Sequence, residues 1–217
     1  MVLLHVARTL RYAFTGEFLQ TKTAPFEECV TKVFVGVRKM DGFMHVNNSR
    51  YLEMMEFARY NQGGRAGWNK RFISSKIWPV IGSVHIHYMT QIAPWRFVNV
   101  HTRLAGYEGR YLHIHQDIRS ADDKILHATA LFRVAMVHKN KTMELDDAME
   151  KLGFPKQEDG RMNEVFLACS EEHRKKYPMF KRLIDADDEW RQSVRDQIKA
   201  ERAARKHAKE ERKKNKE

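Results

Sequence analysis

Asp41 and His45 stand four residues apart in Met40-Asp-Gly-Phe-Met-His-Val-Asn-Asn-Ser-Arg-Tyr51, with Gly42 between them and Asn47-Asn48 following. A carboxylate and an imidazole at that spacing can share one short loop. The carboxylate can accept a proton or attack as a nucleophile, and the imidazole can orient a water or a carbonyl near neutral pH. Gly42 lets such a loop turn close against a ligand. Asn48 is placed to cap a helix, with Asn47 bonding within the loop. Behind them Leu52, Met55, Phe57 and Ala58 recur at helical spacing, and ahead of them Val33, Val35 and Val37 alternate as one face of a strand. The order strand, polar loop, capped helix brings a carboxylate, an imidazole and the unpaired N–H groups of a helix start into one small volume. Those are the parts that hydrolysis of an activated acyl group needs: a base, a group to position water, and donors for the oxyanion. Plainer roles compete. Asp41-Gly42 is also an ordinary turn dipeptide, and His45 can serve only to bridge its loop. Glu53 and Glu56 lie on the helix that follows, where a solvated or ion-paired carboxylate is the ordinary reading of either.

The elements that must position these residues follow from the pattern. A strand is predicted over 31–38 and a helix over 49–62, stopped by Gly63-Gly64. Strands follow at 78–89, 96–104, 110–119 and 125–137, with turn signals at 106–109 and 120–123, as antiparallel hairpins require. On the third of these, Leu112, Ile114 and Ile118 mark one face, with His113, His115 and Asp117 on the other. A short helix over 144–152 opens a segment, 141–178, that wraps the domain. Trp190, Val194 and Ile198 begin a charged helical tail over 179–217, whose end is a solvated helix held by charge pairs three or four apart. Trp78, Tyr88, Trp95 and Phe97 are assigned to the core or to a subunit interface.

Two stretches resemble a known family. Asp41-x-x-x-His45-x-Asn47-Asn48-x-x-Tyr51 is similar to the lead-in to the central helix of the hotdog-fold thioesterases, the 4-hydroxybenzoyl-CoA thioesterase-like superfamily. Gln91-Ile-Ala-Pro-Trp-Arg-Phe-Val-Asn-Val-His-Thr-Arg-Leu-Ala-Gly-Tyr107 resembles their Pro-aromatic-x-x-Val-x-x-x-Thr-Arg-Leu-x-Gly-aromatic strand. The likeness runs over roughly residues 30–140, and the chain looks most like the thioesterase superfamily member 6 group. It implies an α+β hotdog fold over 28–140: a curved antiparallel sheet wrapped round a central helix, with N- and C-terminal helical extensions. It implies Asp41 and His45 as catalytic residues, with Gly42, Phe43, Asn47, Asn48, Tyr51 and Glu56 against the substrate; because some members draw their carboxylate from the helix, it also makes Glu53 and Glu56 reserves, Glu56 the better one. That substrate would be a fatty-acyl thioester of coenzyme A or acyl-carrier protein, cleaved to free acid and thiol without a cofactor. The family pairs into homodimers or larger assemblies, with the acyl tunnel between subunits, and Arg38, Lys39, Arg50 and Arg59 could meet the phosphates of the incoming arm. One departure stands out. Plant acyl-carrier-protein thioesterases place an Asn two residues before the His, where this chain has Phe43, flanked by Met44; the member 6 group is also apolar there. Losing that amide removes a water or carbonyl ligand worth about 1–3 kcal/mol when buried and paired. An alternative follows: a catalytically weak or inactive hotdog subunit of a larger mitochondrial ribosomal or respiratory assembly.

Bulk composition sets the remaining bounds. The 217 residues are 42% hydrophobic and 11% aromatic, enough for one core plus extensions. Cys29 and Cys169 lie far apart and give no disulfide framework, which suits a reducing compartment. His85 with His87, and His113 with His115, share strand faces, but no pattern supplies further ligands, so no metal is expected. No glycine-rich phosphate loop or dinucleotide fingerprint occurs, and no run approaches the ~20 apolar residues of a membrane span. Of the net charge of +11, residues 191–217 carry eleven Lys/Arg against five Asp/Glu, a balance of +6. That tail is suited to solvent, an anionic surface, or RNA within a large complex. Residues 1–16 contain no acid, carry Arg8 and Arg11, and space Leu3, Val6, Leu10 and Phe14 like one helical face. Within the N-terminal segment 1–27, that stretch reads either as a mitochondrial targeting sequence or as a helix docked on the domain. A mitochondrial location is the expectation, a cytoplasmic one the alternative.

Overall fold

Seven residues of strict alternation, Cys29–Val35, form β1, each odd position buried and each even one exposed. The computed structural model describes residues 2–108, 110–154, 189–190, 192–200 and 203. β1 pairs antiparallel with β3 (Arg96–Glu108), β3 with β4 (Tyr111–Ser120), β4 with β5 (Leu126–His138), and β5 with β2 (Ile77–Tyr88). The order is therefore β1-β3-β4-β5-β2, with a two-residue β6 (Lys141–Thr142) beside β5. Inside the curl of the sheet lies α2 (Asn48–Arg65). Its Tyr51, Met54, Met55 and Ala58 share one core with Val33, Val35, Val98, Val100 and Ile118. Each large apolar side chain buried there contributes about 1.5–3 kcal/mol. This is the expected hotdog arrangement.

Several boundaries differ from the sequence reading. β1 stops at Val35, and Val37–Lys39 form one tight 3-10 turn that exposes Val37 and turns Lys39 inward. Gly63 and Gly64 do not end the helix; they lie inside α2, where other groups come too close for a side chain. A Cβ on Gly64 would sit 2.6 Å from the Ala13 carbonyl oxygen and 2.7 Å from the Glu17 nitrogen. The helix stops one residue on, at Arg65, with Ala66 as its C-cap before Gly67 at φ +76°. A further helix follows that the pattern did not signal, α3 (Trp68–Ser75).

The segment lying against Gly64 is α1 (Val2–Phe14) with its π-helical continuation Thr15–Leu19. Tyr12 stacks on Phe57 with ring centroids 5.0 Å apart, and Asn61 Nδ2 donates to the Tyr12 carbonyl at 3.2 Å. α1 therefore docks on α2, but not by its apolar stripe. The short helix expected over 144–152 is α4 (Leu145–Lys151), which buries Leu145, Ala148 and Met149. In the second compact unit, 176–217, the described residues are helical, with Trp190 and Ile198 exposed. The remainder of the wrapping segment beyond 154 and most of the charged tail lie outside the described residues.

β4 is buried on both faces. His113, His115 and Asp117 are as inaccessible as Leu112 and Ile118, because their side of the sheet carries a polar network. Arg103 donates to Asp117 Oδ2 at 2.8 Å, to His115 Nδ1 at 3.0 Å and to Glu28 Oε2 at 3.0 Å. His101 lies 2.6 Å from Glu28 and 2.9 Å from Asp123. The His101 hydrogen bond, opposed by burial, holds the Glu28 carboxyl at about 2. Burial alone would raise Asp117, but His115 and Arg103 carry it well below the usual carboxylate range. His101 is raised by Glu28, while burial lowers His115.

These shifts have opposite signs in their effect on stability. The two depressed carboxylates stabilise the fold fully above their unfolded values near 4, and that contribution is lost as pH falls towards about 2. Between about pH 7 and 6 the histidines oppose each other: protonation favours the folded state through His101 and disfavours it through His115. Urea midpoints should therefore vary little between pH 7 and 6 and fall steeply below about pH 4. Asp117→Asn should flatten the acid limb; an unchanged limb would remove Asp117 from this account.

Candidate active site

A single antiparallel bridge between Met40 and Val46 pinches the loop that carries the two candidate catalytic residues. The Asp41 N–H donates to the His45 carbonyl at 2.8 Å, and the Met44 N–H to the Asp41 carbonyl at 3.1 Å. Met44 takes φ +60° to close the turn. The Asp41 side chain fastens it further, Oδ1 accepting from the N–H groups of Phe43 (2.9 Å) and His45 (3.3 Å). Asp41 is thus a turn residue, as its dipeptide suggested. One carboxylate oxygen is committed to the loop, and among the described residues Oδ2 has no hydrogen-bond partner.

The loop runs directly into α2. Asn47, extended at φ −60° and ψ 138°, is the N-cap: its Oδ1 accepts from the Ser49 N–H at 3.0 Å and from the Ser49 hydroxyl at 2.7 Å. The cap is one residue earlier than expected, because Val46 is buried at the bridge and helical backbone begins at Asn48. The Asn48 carbonyl accepts from the Tyr88 hydroxyl at 3.3 Å, which ties the helix start to the end of β2.

Six predicted residues therefore come together on one loop and helix start: Asp41, Gly42, Phe43, His45, Asn47 and Asn48. Two do not join them. Tyr51 is buried one turn below, its ring edge-on to Tyr88 at 5.0 Å. Glu56 lies two turns along α2, with His5 Nε2 of α1 at 3.4 Å. Of the four cations expected to meet phosphates, three are engaged within the chain. Lys39 is buried with its Nζ 3.1 Å from Glu53, and Arg50 approaches the same carboxylate at 3.4 Å. Arg59 donates to Gln116 Oε1 at 2.6 Å and lies over the Phe132 ring at 4.2 Å; burial pulls its guanidinium down to about 10. Arg38 remains exposed.

Sequence reasoning placed Glu53 only as a reserve, yet it organises this end of α2. Besides Lys39 and Arg50, it has Arg8 at 3.7 Å and His5 at 3.8 Å. Only the Arg50–Glu53 spacing was visible as a local signal.

The loop is open. Gly42, Met44, His45, Asn47 and Asn48 are exposed, and Phe43 is 83% accessible. Trp78, Tyr88, Trp95 and Phe97, assigned to core or interface, are likewise exposed; none is core. β2 is an outer strand of the sheet. One copy thus presents a carboxylate and an imidazole on an exposed rim beside a helix N-terminus, with no roof over them among the described residues.

Comparison with known proteins places this arrangement. Over 94 residues the chain is 30% identical to Protein THEM6 of Danio rerio, a match covering 43% of this chain and 46% of that protein. The chain therefore matches only about half the length of that curated relative. Among solved structures, a probable thioesterase, YbaW from Escherichia coli, shares the fold with a TM-score of 0.52 at 22% identity, over 57% of this chain and 97% of that one. Hypothetical protein TT1821 from Thermus thermophilus does so with a TM-score of 0.51 at 21% identity, over 57% and 96%. The sequence model of the thioesterase-like superfamily matches residues 35–155, from the end of β1 to just beyond α4, so it takes in the bridged loop, its capped helix and the sheet around them. By that match over more than half its length, the chain belongs to the thioesterase-like superfamily.

Proposed function

We propose that the protein hydrolyses a fatty-acyl thioester of coenzyme A or of an acyl-carrier protein, releasing the free acid and the thiol. The observation that carries this reading is the fastened Asp41 carboxylate, held by two backbone N–H groups six residues ahead of the N-cap of α2. Asp41 Oδ2 takes a proton from the attacking water and returns it to the departing sulfur as the C–S bond breaks. His45, at the far side of the same turn, orients that water or the thioester carbonyl. The first turn of α2 receives the charge that develops on the carbonyl oxygen, aided by the partial positive charge of the helix start. Phe43 and Met44, exposed and apolar, face the acyl chain.

An open rim supports a second element of the proposal: two copies join along the β2 edge, and the partner roofs the loop. An uncovered outer strand with Trp78, Val80 and Ile81 exposed is suited to such pairing. The decisive assay measures turnover of short-, medium- and long-chain acyl-CoAs and of acyl-carrier-protein thioesters, alongside sedimentation of the purified chain. Turnover above buffer with at least one substrate, by a dimer or larger assembly, is the expected result. Tight acyl-CoA binding without turnover by any of them would instead favour the non-catalytic subunit, which the apolar Phe43 also suits.

A further inference from the structure

Among the described residues, an apolar stripe is left uncovered along the first helix. α1 rests on α2 by its polar and aromatic side, through His5, Arg8 and Tyr12. The opposite side carries Leu3, Val6, Leu10 and Phe14 at intervals of three and four residues, and the π-helical turn extends it with Phe18 and Leu19. These six side chains are 45–83% exposed. The Phe14 and Phe18 rings, 4.8 Å apart, keep the stripe continuous across the junction. A contiguous apolar surface of this length on a folded unit marks an interaction site.

The charge around the stripe selects its occupant. Residues 2–14 contain no acid, and Arg11 sits in the last turn of α1. Near Phe18, Lys22 and Lys70 share the single carboxylate of Glu17 at 3.3 Å and 2.6 Å, and Lys70 Nζ stands 5.9 Å from the Phe18 ring. The rim is therefore cationic. A second copy docked stripe to stripe would set these cations against their own equivalents, an arrangement that like-charge repulsion opposes. An anionic bilayer satisfies both halves of the surface: its acyl boundary takes the Leu and Phe side chains, and its headgroups take Arg11 and the lysines. Among the described residues no helix is long and apolar enough to cross a membrane, so the stripe would lie in the plane of the interface. We propose that α1 and the turn after it form a peripheral docking surface for anionic lipid bilayers. This inference does not depend on the thioesterase reading.

The test uses the full chain and vesicles of phosphatidylcholine, alone or mixed with phosphatidylglycerol, at low and high salt. The wild-type protein should sediment with the mixed vesicles at low salt and be released from them at high salt. Leu10→Glu/Phe14→Glu, which alters only exposed positions, should weaken binding at least tenfold with an unchanged circular dichroism spectrum. Arg11→Gln should weaken it about fivefold. Three outcomes would overturn the proposal: no binding of the wild type to mixed vesicles at low salt, equal binding by the double variant, or a stripe-dependent dimer that ignores vesicles. The second would assign lipid binding to the basic C-terminal region, and the third would assign the stripe to a second copy.

Discussion

Asp41→Asn is expected to lower kcat for acyl-thioester hydrolysis by about 10²–10⁴, the usual contribution of a positioned general base. In barrier terms that is about 2.7–5.4 kcal/mol. The substitution separates the two jobs the structure gives this side chain. An asparagine Oδ1 can still accept from the N–H groups of Phe43 and His45, so the bridged loop should hold its shape. The amide nitrogen that replaces Oδ2 cannot take a proton from water. Stability should therefore stay within about 0.5 kcal/mol of wild type, and KM should move little. Asp41→Ala confounds the two jobs, because it also releases the turn. If Asp41→Asn turns over like wild type, the base lies elsewhere, and Glu56→Gln becomes the next variant to assay.

How far the sequence disclosed this molecule depends on the range of the forces involved. The loop from Met40 to Asn48 was legible because its geometry is set within nine residues: an Asx turn at Asp41, a bridge and a side-chain cap. Even there the cap shifted from Asn48 to Asn47, because burial of Val46, a tertiary effect, decides where helical backbone starts. The five main strands and the central helix were legible from period and turn chemistry. Gly63-Gly64 misled because a glycine pair reads the same whether it ends a helix or admits a neighbouring backbone; only contact with Ala13 and Glu17 distinguishes the two. On β4, alternation separated an apolar face from a polar one without showing that the polar face is buried. That face is closed by ion pairs from Glu28, Arg103 and Asp117, partners far apart in sequence. The amphipathic pattern of α1 was correct as a pattern and misleading as a guide to which side docks.

The same distinction between local and long-range contacts gives the largest stability effect expected in this fold. Glu53 is about one-tenth exposed, and it is the counter-charge of Lys39, itself buried to the same degree, at 3.1 Å. Arg8, Arg50 and His5 surround the same carboxylate. Burial lowers the Lys39 ammonium, and Glu53 opposes that shift. Glu53→Gln removes the one negative charge at the centre of this group and leaves Lys39 buried without a partner. The expected cost is about 3–5 kcal/mol, the range for breaking a buried pair from one side. With a urea dependence of about 1–3 kcal/mol per molar, the unfolding midpoint should fall by at least about 1 M. Loss of Arg8 and His5 contacts should also raise amide exchange across α1 before global unfolding. Because the penalty comes from the orphaned charge rather than from a missing attraction, Lys39→Met/Glu53→Leu should recover most of it. A Glu53→Gln protein within about 0.5 kcal/mol of wild type would mean that water reaches Lys39 and that the pair behaves as a surface ion pair. Failure of the double variant to recover stability would show instead that the cluster, and not the single buried ammonium, holds α1 against α2.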